Sequence, residues 1–503
     1  MSDAMPETMT SPPAARGGEP RSRARDVLIV GAGLSGLAMA LEARAAGRDV
    51  LVIEKNARPG GTWATNTYPG AACDVPSHLY QLASRPSADW SRPYAPQGEI
   101  LAYVERVAAE LAQSIRYDVR MERAEWSATD ARWRVRLDDG SHIEARRLVL
   151  ATGMLHVPRR PDIPGLGAFG GQLVHTAEWP EGFDAAGKRV AVVGTGASAI
   201  QVVPPLAAQA ERLHVVQRTP PWVVAKSDRP FARRRRLFGT LPPLARLYRF
   251  WLDQFHEVRH LVWRGHERSV EWAERMARET MEAAIGDPAL REALTPNYRI
   301  GCKRILQSSD YYPAIARENV ELVTEPVERV VPEGLVVGGR TIGLDAIVLA
   351  TGFHVAEGIG LDVRGTDGVT LRELWKARAL AHCGTSIHGL PNCAMLLGPG
   401  TGLGHNSVVL MAEAQVRYLI RLWDAQDEAG WEAMEARAEA QEAWGGELDA
   451  MLARTVWGRA PGEGGCRSWY HDAKGRPTAV WPGTVRQFRR RLARSGLGDY
   501  APV

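Results

Sequence analysis

The chain has 503 residues, 45% of them apolar and 24% charged, which is too long for one ordinary domain and too apolar for a disordered, collagen-like or coiled-coil protein. Its 62 basic and 58 acidic residues leave a formal net charge of +4, so no global field draws it to nucleic acid or an anionic membrane. A small molecule is the expected partner.

Residues 1–25 mix Pro, Gly, Ser and Arg without an apolar segment and are expected to form a disordered tail, not a signal peptide. No later stretch approaches the roughly 18 uninterrupted apolar residues of a membrane helix, so a soluble, cytoplasmic chain is expected. The segment DVLIVGAGLSGLAMALEARAAGRDVLVIEK reads as a buried strand from Val27 to Val30, a glycine turn, an Ala/Leu helix and a second strand ending at Glu54. That is a complete βαβ unit. A second copy, KRVAVVGTGASAIQVVPPLAAQAERLHVVQRT, begins at Lys188. Two more apolar strands, RLVLATG ending at Gly153 and AIVLATGF ending at Phe353, share an Ala-Thr-Gly end suited to close passage of backbone past a cofactor or linker.

Between about residues 230 and 300 the pattern turns helical and charged, a helical insertion in the second domain. Its run FARRRRLF, Phe231 to Phe238, is expected to be a solvated helix face. Residues 407–425 form an amphipathic helix, and the remaining tail is rich in tryptophan. The expected fold class is therefore α/β, with two Rossmann-like dinucleotide-binding domains and a helical insertion. The first domain spans 26–158 and resumes at 346–503, a linker occupies 159–184, and the second domain spans 185–345. The five cysteines, Cys73, Cys302, Cys383, Cys393 and Cys466, show neither a C-x-x-C pair nor zinc-ligand spacing, so no metal is expected and a reducing, intracellular compartment fits best.

Gly31, Gly33 and Gly36 form G-x-G-x-x-G after a strand and before a helix, where bare N–H groups and the helix dipole hold a pyrophosphate. Glu54 ends the second strand, where its carboxylate can accept from ribose hydroxyls. The second copy carries Gly194, Gly196 and Ser198, but the position matching Glu54 is Gln217, followed by Arg218. An arginine there suits a 2′-phosphate, so NADPH is expected over NADH. A first site without such an arginine and a second with one suggest a tightly held flavin dinucleotide, FAD, reduced by transient NADPH. With no cysteine pair after the first domain, the electrons are expected to go to dioxygen or an external molecule.

Phe169, Gly171, His175 and Trp179, in FGGQLVHTAEWP, lie between the two nucleotide folds and resemble F-x-G-x-x-x-H-x-x-x-W, the fingerprint of Baeyer–Villiger monooxygenases among class B flavin monooxygenases. GGTWATNTYPGAACD resembles a second pattern of that family through Gly60, Gly61, Trp63, Tyr68, Pro69, Gly70 and Asp74. CKRILQSSDYY, GPGTGLGHNS and CRSWY are also similar to it, particularly to the branch acting on aryl or larger cyclic and linear ketones. The similarity runs from about residue 26 to the end.

The resemblance implies that NADPH reduces FAD, that oxygen adds to give a C4a-peroxyflavin, and that this attacks a ketone to yield an ester or lactone. It assigns Arg304 as the cation beside the reacting oxygens, Asp74 as the carboxylate orienting it, and Lys303 as partner of Arg218 at the 2′-phosphate. His175 is then a conformational relay at the linker, and Trp179 marks this branch over N- and S-oxidising relatives. Thr401, in the loop before the 407–425 helix, joins the cofactor-binding set, with the helix capped by Asn406 or Ser407 and its positive end facing the flavin. Asp74 with Arg304 could also be a purely structural ion pair. Two rival functions remain, flavin-dependent N- or S-oxygenation and a non-catalytic flavin- or NADPH-binding sensor.

Overall fold

The computed structural model of the chain describes residues 24–231, 242–355, 360–460, 465 and 467–503. The expected tail up to residue 23 and the arginine run at 233–236 lie outside the described residues.

Each glycine turn seeds a parallel sheet. In the first, strands Arg25–Val30 and Val50–Ile53 pair in parallel and flank helix Leu34–Ala45 in sequence. Strand His142–Leu150 pairs on the other side of Arg25–Val30. The apolar runs of these central strands are buried on both faces, as parallel strands covered by helices require. Strand Arg132–Leu137, RWRVRL, instead alternates, and Trp133, Val135 and Leu137 are fully buried beneath an exposed arginine face. Strands Asp362–Arg364 and Cys393–Met395 return from the last third of the chain to join this same sheet.

The second sheet has the order Val320–Val323, Arg212–Val216, Arg189–Val193, Ala346–Leu349, Gln172–His175, all parallel. Two expected boundaries shift as a result. Ala346–Leu349 does not open the second part of the flavin domain, and Gln172–His175 is not free linker. Four consecutive apolar residues, AIVL, need a strand on either side, and these two neighbours supply them.

The Ala-Thr-Gly ends have a shared purpose. A Cβ on Gly31 would lie 2.6 Å from the Ala151 carbonyl oxygen, and one on Gly194 would lie 2.4 Å from that of Ala350. Each returning strand therefore passes against the glycine turn of its own sheet, and both glycines hold positive φ, 111° and 118°. The insertion in the second domain contains helices Pro242–Trp263, Glu267–Glu282 and Pro288–Leu294. Among the described residues no helix is long and apolar enough to cross a membrane.

Candidate functional site

The first glycine turn has the chemistry of a dinucleotide cradle. Gly33 caps helix Leu34–Ala45 without any side-chain hydrogen bond, so the first N–H groups of the helix are open to an anion. A Cβ on Gly36 would sit 2.0 Å from the Gly31 carbonyl oxygen, which fixes glycine there and draws the helix onto the turn. Glu54 is 5% exposed, and its Oε2 accepts from the Ala32 N–H at 2.8 Å. Its Oε1 accepts from the Asn56 backbone N–H at 3.0 Å and side-chain Nδ2 at 2.7 Å. Those donors hold an acceptor in place beside the turn, as a ribose site needs.

From this turn a single loop crosses to the second domain. The Gly60 N–H donates to the Ala32 carbonyl at 3.1 Å. Trp63 is buried, with Nε1 donating to Tyr80 Oη at 3.3 Å. Tyr68 then donates its hydroxyl to Gln201 Oε1 at 2.9 Å, while Gln201 Nε2 donates to the Ala72 carbonyl at 2.9 Å. Gln201 belongs to helix Ala197–Gln209, which follows the second glycine turn, so the loop is bound to both nucleotide folds. Ser198 of that helix interacts with Tyr68.

The loop ends at Asp74, which meets Arg304 over a sequence distance that local patterning cannot span. Arg304 Nε donates to Asp74 Oδ2 at 2.7 Å, and Nη2 forms an ion-pair contact with the same oxygen at 2.7 Å, with the two side chains 28% and 24% exposed. Gln307 Nε2 holds the Asp74 carbonyl at 3.1 Å. The Asp74 carboxylate raises the Arg304 pKa above its already high value, so the guanidinium is a permanent cation. Tyr470, the last residue of CRSWY, is fully buried beside this pair. Among the described residues its hydroxyl makes no well-formed hydrogen bond, though Arg304 acts on it, and burial raises its pKa against that pull.

At the second turn Gly196 caps helix Ala197–Gln209, again without a side-chain bond. Arg218 is exposed at the end of the neighbouring strand, and Lys303 lies within its electrostatic reach. Burial first, then the charge of Arg218, lowers the Lys303 pKa. Its ammonium stacks over the Tyr298 ring at 4.7 Å. Among the described residues neither cation takes part in an ion pair. Two uncompensated cations beside a bare helix N-terminus suit a phosphorylated coenzyme.

His175 is 1% exposed, and its Nδ1 accepts from the Ala177 N–H at 3.1 Å. Its Nε2 has no well-formed hydrogen bond, though the carbonyls of Gly352 and Arg159 act on it, and burial lowers its pKa. The ring stands edge-on to Phe353 at 6.1 Å. Here the two chain crossings between the sheets meet: Pro158 bridges Phe353, Arg159 N–H donates to the Gly352 carbonyl and His354 N–H to the Val157 carbonyl, both at 2.9 Å. Trp179 makes a T-shaped contact with Phe183 at 4.9 Å and packs on the core of the second sheet. No hydrogen bond or ring contact among the described residues joins it to Asp74 or Arg304. Thr401 is fully buried, with its hydroxyl donating to the Gly398 carbonyl at 2.6 Å. Ser407, not Asn406, caps helix Val408–Glu428 by accepting from the Val409 N–H at 3.2 Å.

Asn406 clamps the insertion instead. Its Nδ2 donates to Asp253 Oδ1 at 2.9 Å and Glu257 Oε1 at 3.0 Å, both on helix Pro242–Trp263. His256 Nδ1 contacts the His405 carbonyl at 3.0 Å, and His260 Nε2 that of Pro482 at 2.7 Å. Burial lowers both histidine pKa values to about 4, so both rings are neutral. Sequence reasoning assigned none of Tyr80, Gln201, His256, Arg259, His260 or Tyr470. Only Tyr470 had a signal, its place in CRSWY. Cys302 is disulfide-bonded, which the scattered cysteine spacing did not foretell.

Residues 25–235 match the family described as pyridine nucleotide-disulphide oxidoreductase. Over 481 residues the chain is 43% identical to a Baeyer-Villiger monooxygenase of Streptomyces coelicolor, covering 94% of this chain and 92% of that relative. Over 470 residues it is 39% identical to a Baeyer-Villiger monooxygenase of Pseudomonas aeruginosa, covering 92% and 88%. Among solved structures, an oxidized steroid monooxygenase bound to NADP aligns with a TM-score of 0.84 at 33% identity, over 95% of this chain and 99% of the other. OTEMO in complex with FAD and NADP gives a TM-score of 0.86 at 27% identity, over 96% and 100%.

Proposed function

This chain belongs to the Baeyer–Villiger monooxygenase family, and from that premise we propose that the Arg304–Asp74 pair is the centre at which a ketone is oxygenated. The protein is a flavoprotein monooxygenase that uses FAD, NADPH and dioxygen. In the overall reaction a ketone, O2, NADPH and one proton give an ester or lactone, water and NADP+. Bound FAD supplies acceptance of the hydride pair and activation of dioxygen.

The residues divide that work. Gly31, Gly33, Gly36 and Glu54 hold the flavin dinucleotide by pyrophosphate and ribose, with Trp63 and Thr401 shaping the flavin's surroundings. Gly194, Gly196 and Ser198 receive the coenzyme pyrophosphate, and Arg218 with Lys303 grips the 2′-phosphate. Arg304 places a fixed positive charge where oxygen and carbonyl carry developing negative charge, and such a preorganised cation needs no reorganisation as the charge appears. Asp74 is its positioning residue, since a hydrogen bond from Nε and an ion-pair contact from Nη2 on one carboxylate oxygen leave the guanidinium little freedom to turn. His175 couples the second sheet to the paired crossings, and Trp179 supports it by packing.

The observation that carries the reading is the cation itself, held by Asp74 from a loop bound to both nucleotide folds. The test is a ketone panel with NADPH and 18O2, followed by mass spectrometry. A product gaining one labelled oxygen supports the reading. Oxygenation of sulfides or amines with ketones untouched would replace it with N- or S-oxygenation, and an absence of NADPH-dependent oxygen uptake would leave a sensor.

A further inference from the structure

We infer that Arg259, on the helical insertion, binds an anionic group of the substrate, so that the preferred ketone carries a carboxylate at a distance from its carbonyl. The inference rests on the oxygenation reading and narrows its substrate class.

Three cations face the region round Asp74. Arg304 is paired with Asp74 at 2.7 Å, and Lys226 lies 3.7 Å from Asp228 and over the Tyr94 ring at 5.0 Å. Arg259 has no ion pair among the described residues, whereas Arg304 and Lys226 each meet a carboxylate, so the charge of Arg259 stands unmatched. Its charge interacts with Tyr94, Asp74 and Arg304, which places it within electrostatic reach of the candidate centre, and burial lowers its pKa. A guanidinium carries five N–H donors. Among the described residues the one hydrogen-bond contact of Arg259 is from Nη1 to His256 Nδ1 at 3.3 Å, and that atom also faces the His405 carbonyl at 3.0 Å. One ring nitrogen can donate to the carbonyl or accept from the guanidinium, but not both. At most one long bond therefore serves the five donors.

Arg259 is also held still. Its helix is tied to the flavin-side loops through Asp253 and Glu257 to Asn406, and through His260 to the Pro482 carbonyl. A half-buried arginine on a clamped helix, without an ion pair among the described residues, matches a carboxylate, whose two oxygens accept the planar fork and cancel the excess charge. The coenzyme phosphates have partners of their own in the helix N-termini and in Arg218 with Lys303. A carboxylate on Arg259 would leave Arg304 free for the carbonyl end of the same molecule.

The test uses the FAD-loaded enzyme with a homologous series of methyl-ketone acids, each compared with its methyl ester. At some chain length the acid should exceed its ester in kcat/KM by about tenfold or more, through KM, the range of one charge-assisted hydrogen bond. Calorimetry on the oxidised holoenzyme, without turnover, should show the acid binding more tightly than the ester. In Arg259→Gln the acid-to-ester ratio should fall to near one in both measurements, and Arg259→Lys should restore part of it. An equal loss for acid and ester, no acid preference at any length in the unaltered enzyme, or a selective rise in KM for NADPH would overturn the inference. Ester conversion without acid preference refutes this inference alone, whereas oxygenation of no ketone at all removes the oxygenation reading with it.

Discussion

Replacing Arg218 with alanine separates coenzyme recognition from the rest of the machinery, and its effect can be sized from the surroundings of two cations. Each charge-assisted bond to a 2′-phosphate contributes about 1.5–3 kcal/mol. Arg218 is exposed, so solvent screens it and the lower end applies. Arg218→Ala should therefore raise KM for NADPH by about tenfold and leave that for NADH nearly unmoved. Lys303 is half-buried, and Lys303→Met should cost more, approaching a hundredfold at the upper end of that range. The pair also makes a pH signature. Lys303 loses its proton below the ordinary lysine range, first because of burial and then because Arg218 repels it. NADPH affinity should fall as alkaline pH strips that proton, and Arg218→Ala, by removing the repulsion, should move the fall to higher pH. Steady-state oxygen uptake with both coenzymes across the alkaline range measures all three effects. Equal losses for NADPH and NADH, or an alkaline limb that stays fixed in Arg218→Ala, would show that the two cations do not hold the phosphate.

Arg304→Ala should lower ketone oxygenation by roughly two to three orders of magnitude. NADPH oxidation should survive better, with oxygen released as hydrogen peroxide; product and peroxide yields beside stopped-flow flavin reduction measure this. Arg304→Lys keeps the charge but not the planar fork that meets Asp74 Oδ2, so it should rescue only in part. Gly36→Ala, whose Cβ would lie 2.0 Å from the Gly31 carbonyl oxygen, should purify without its yellow colour, read as the ratio of flavin to protein absorbance. His256 and His260 have folded pKa values of about 4, below the ordinary 6.5, so their contribution to stability is full above 6.5 and lost as pH falls toward 4. The upper bound is about 3 kcal/mol for each, and thermal melting from pH 7 to 4 should fall less steeply in His256→Gln. An unchanged slope would show that the clamp does not titrate.

Much of the site could be read from the sequence because its signals are local. A glycine turn, the carboxylate ending the next strand and the arginine in its place in the second copy all lie within one βαβ unit. Asp74 and Arg304 were legible only through resemblance, since no periodicity connects a loop of the first domain to a strand-edge residue 230 positions later. The two strands on the wrong side of an expected boundary failed for a different reason. A run such as AIVL reports burial on both faces but not which sheet buries it. The clamp formed by His256, His260 and Asn406 was invisible because each contact joins a helix to a loop at least 149 positions away. Arg259 looked like one more arginine among many, and what sets it apart is visible only in three dimensions, a clamped helix and no ion pair among the described residues close to Asp74 and Arg304.

The paired crossings at Pro158 and Phe353 limit what the two sheets can do relative to each other. A single strand between domains is a swivel, free to twist and bend in every direction. Two strands bonded side by side, Arg159 to Gly352 and His354 to Val157, shear those bonds if one domain twists or slides along the other. Rocking about an axis through the bridge leaves them intact. Rocking about that axis is therefore the relative movement that these two bonds oppose least. His175 stands edge-on to Phe353 at this same bridge, so its ring packs directly on the element that such rocking would turn about.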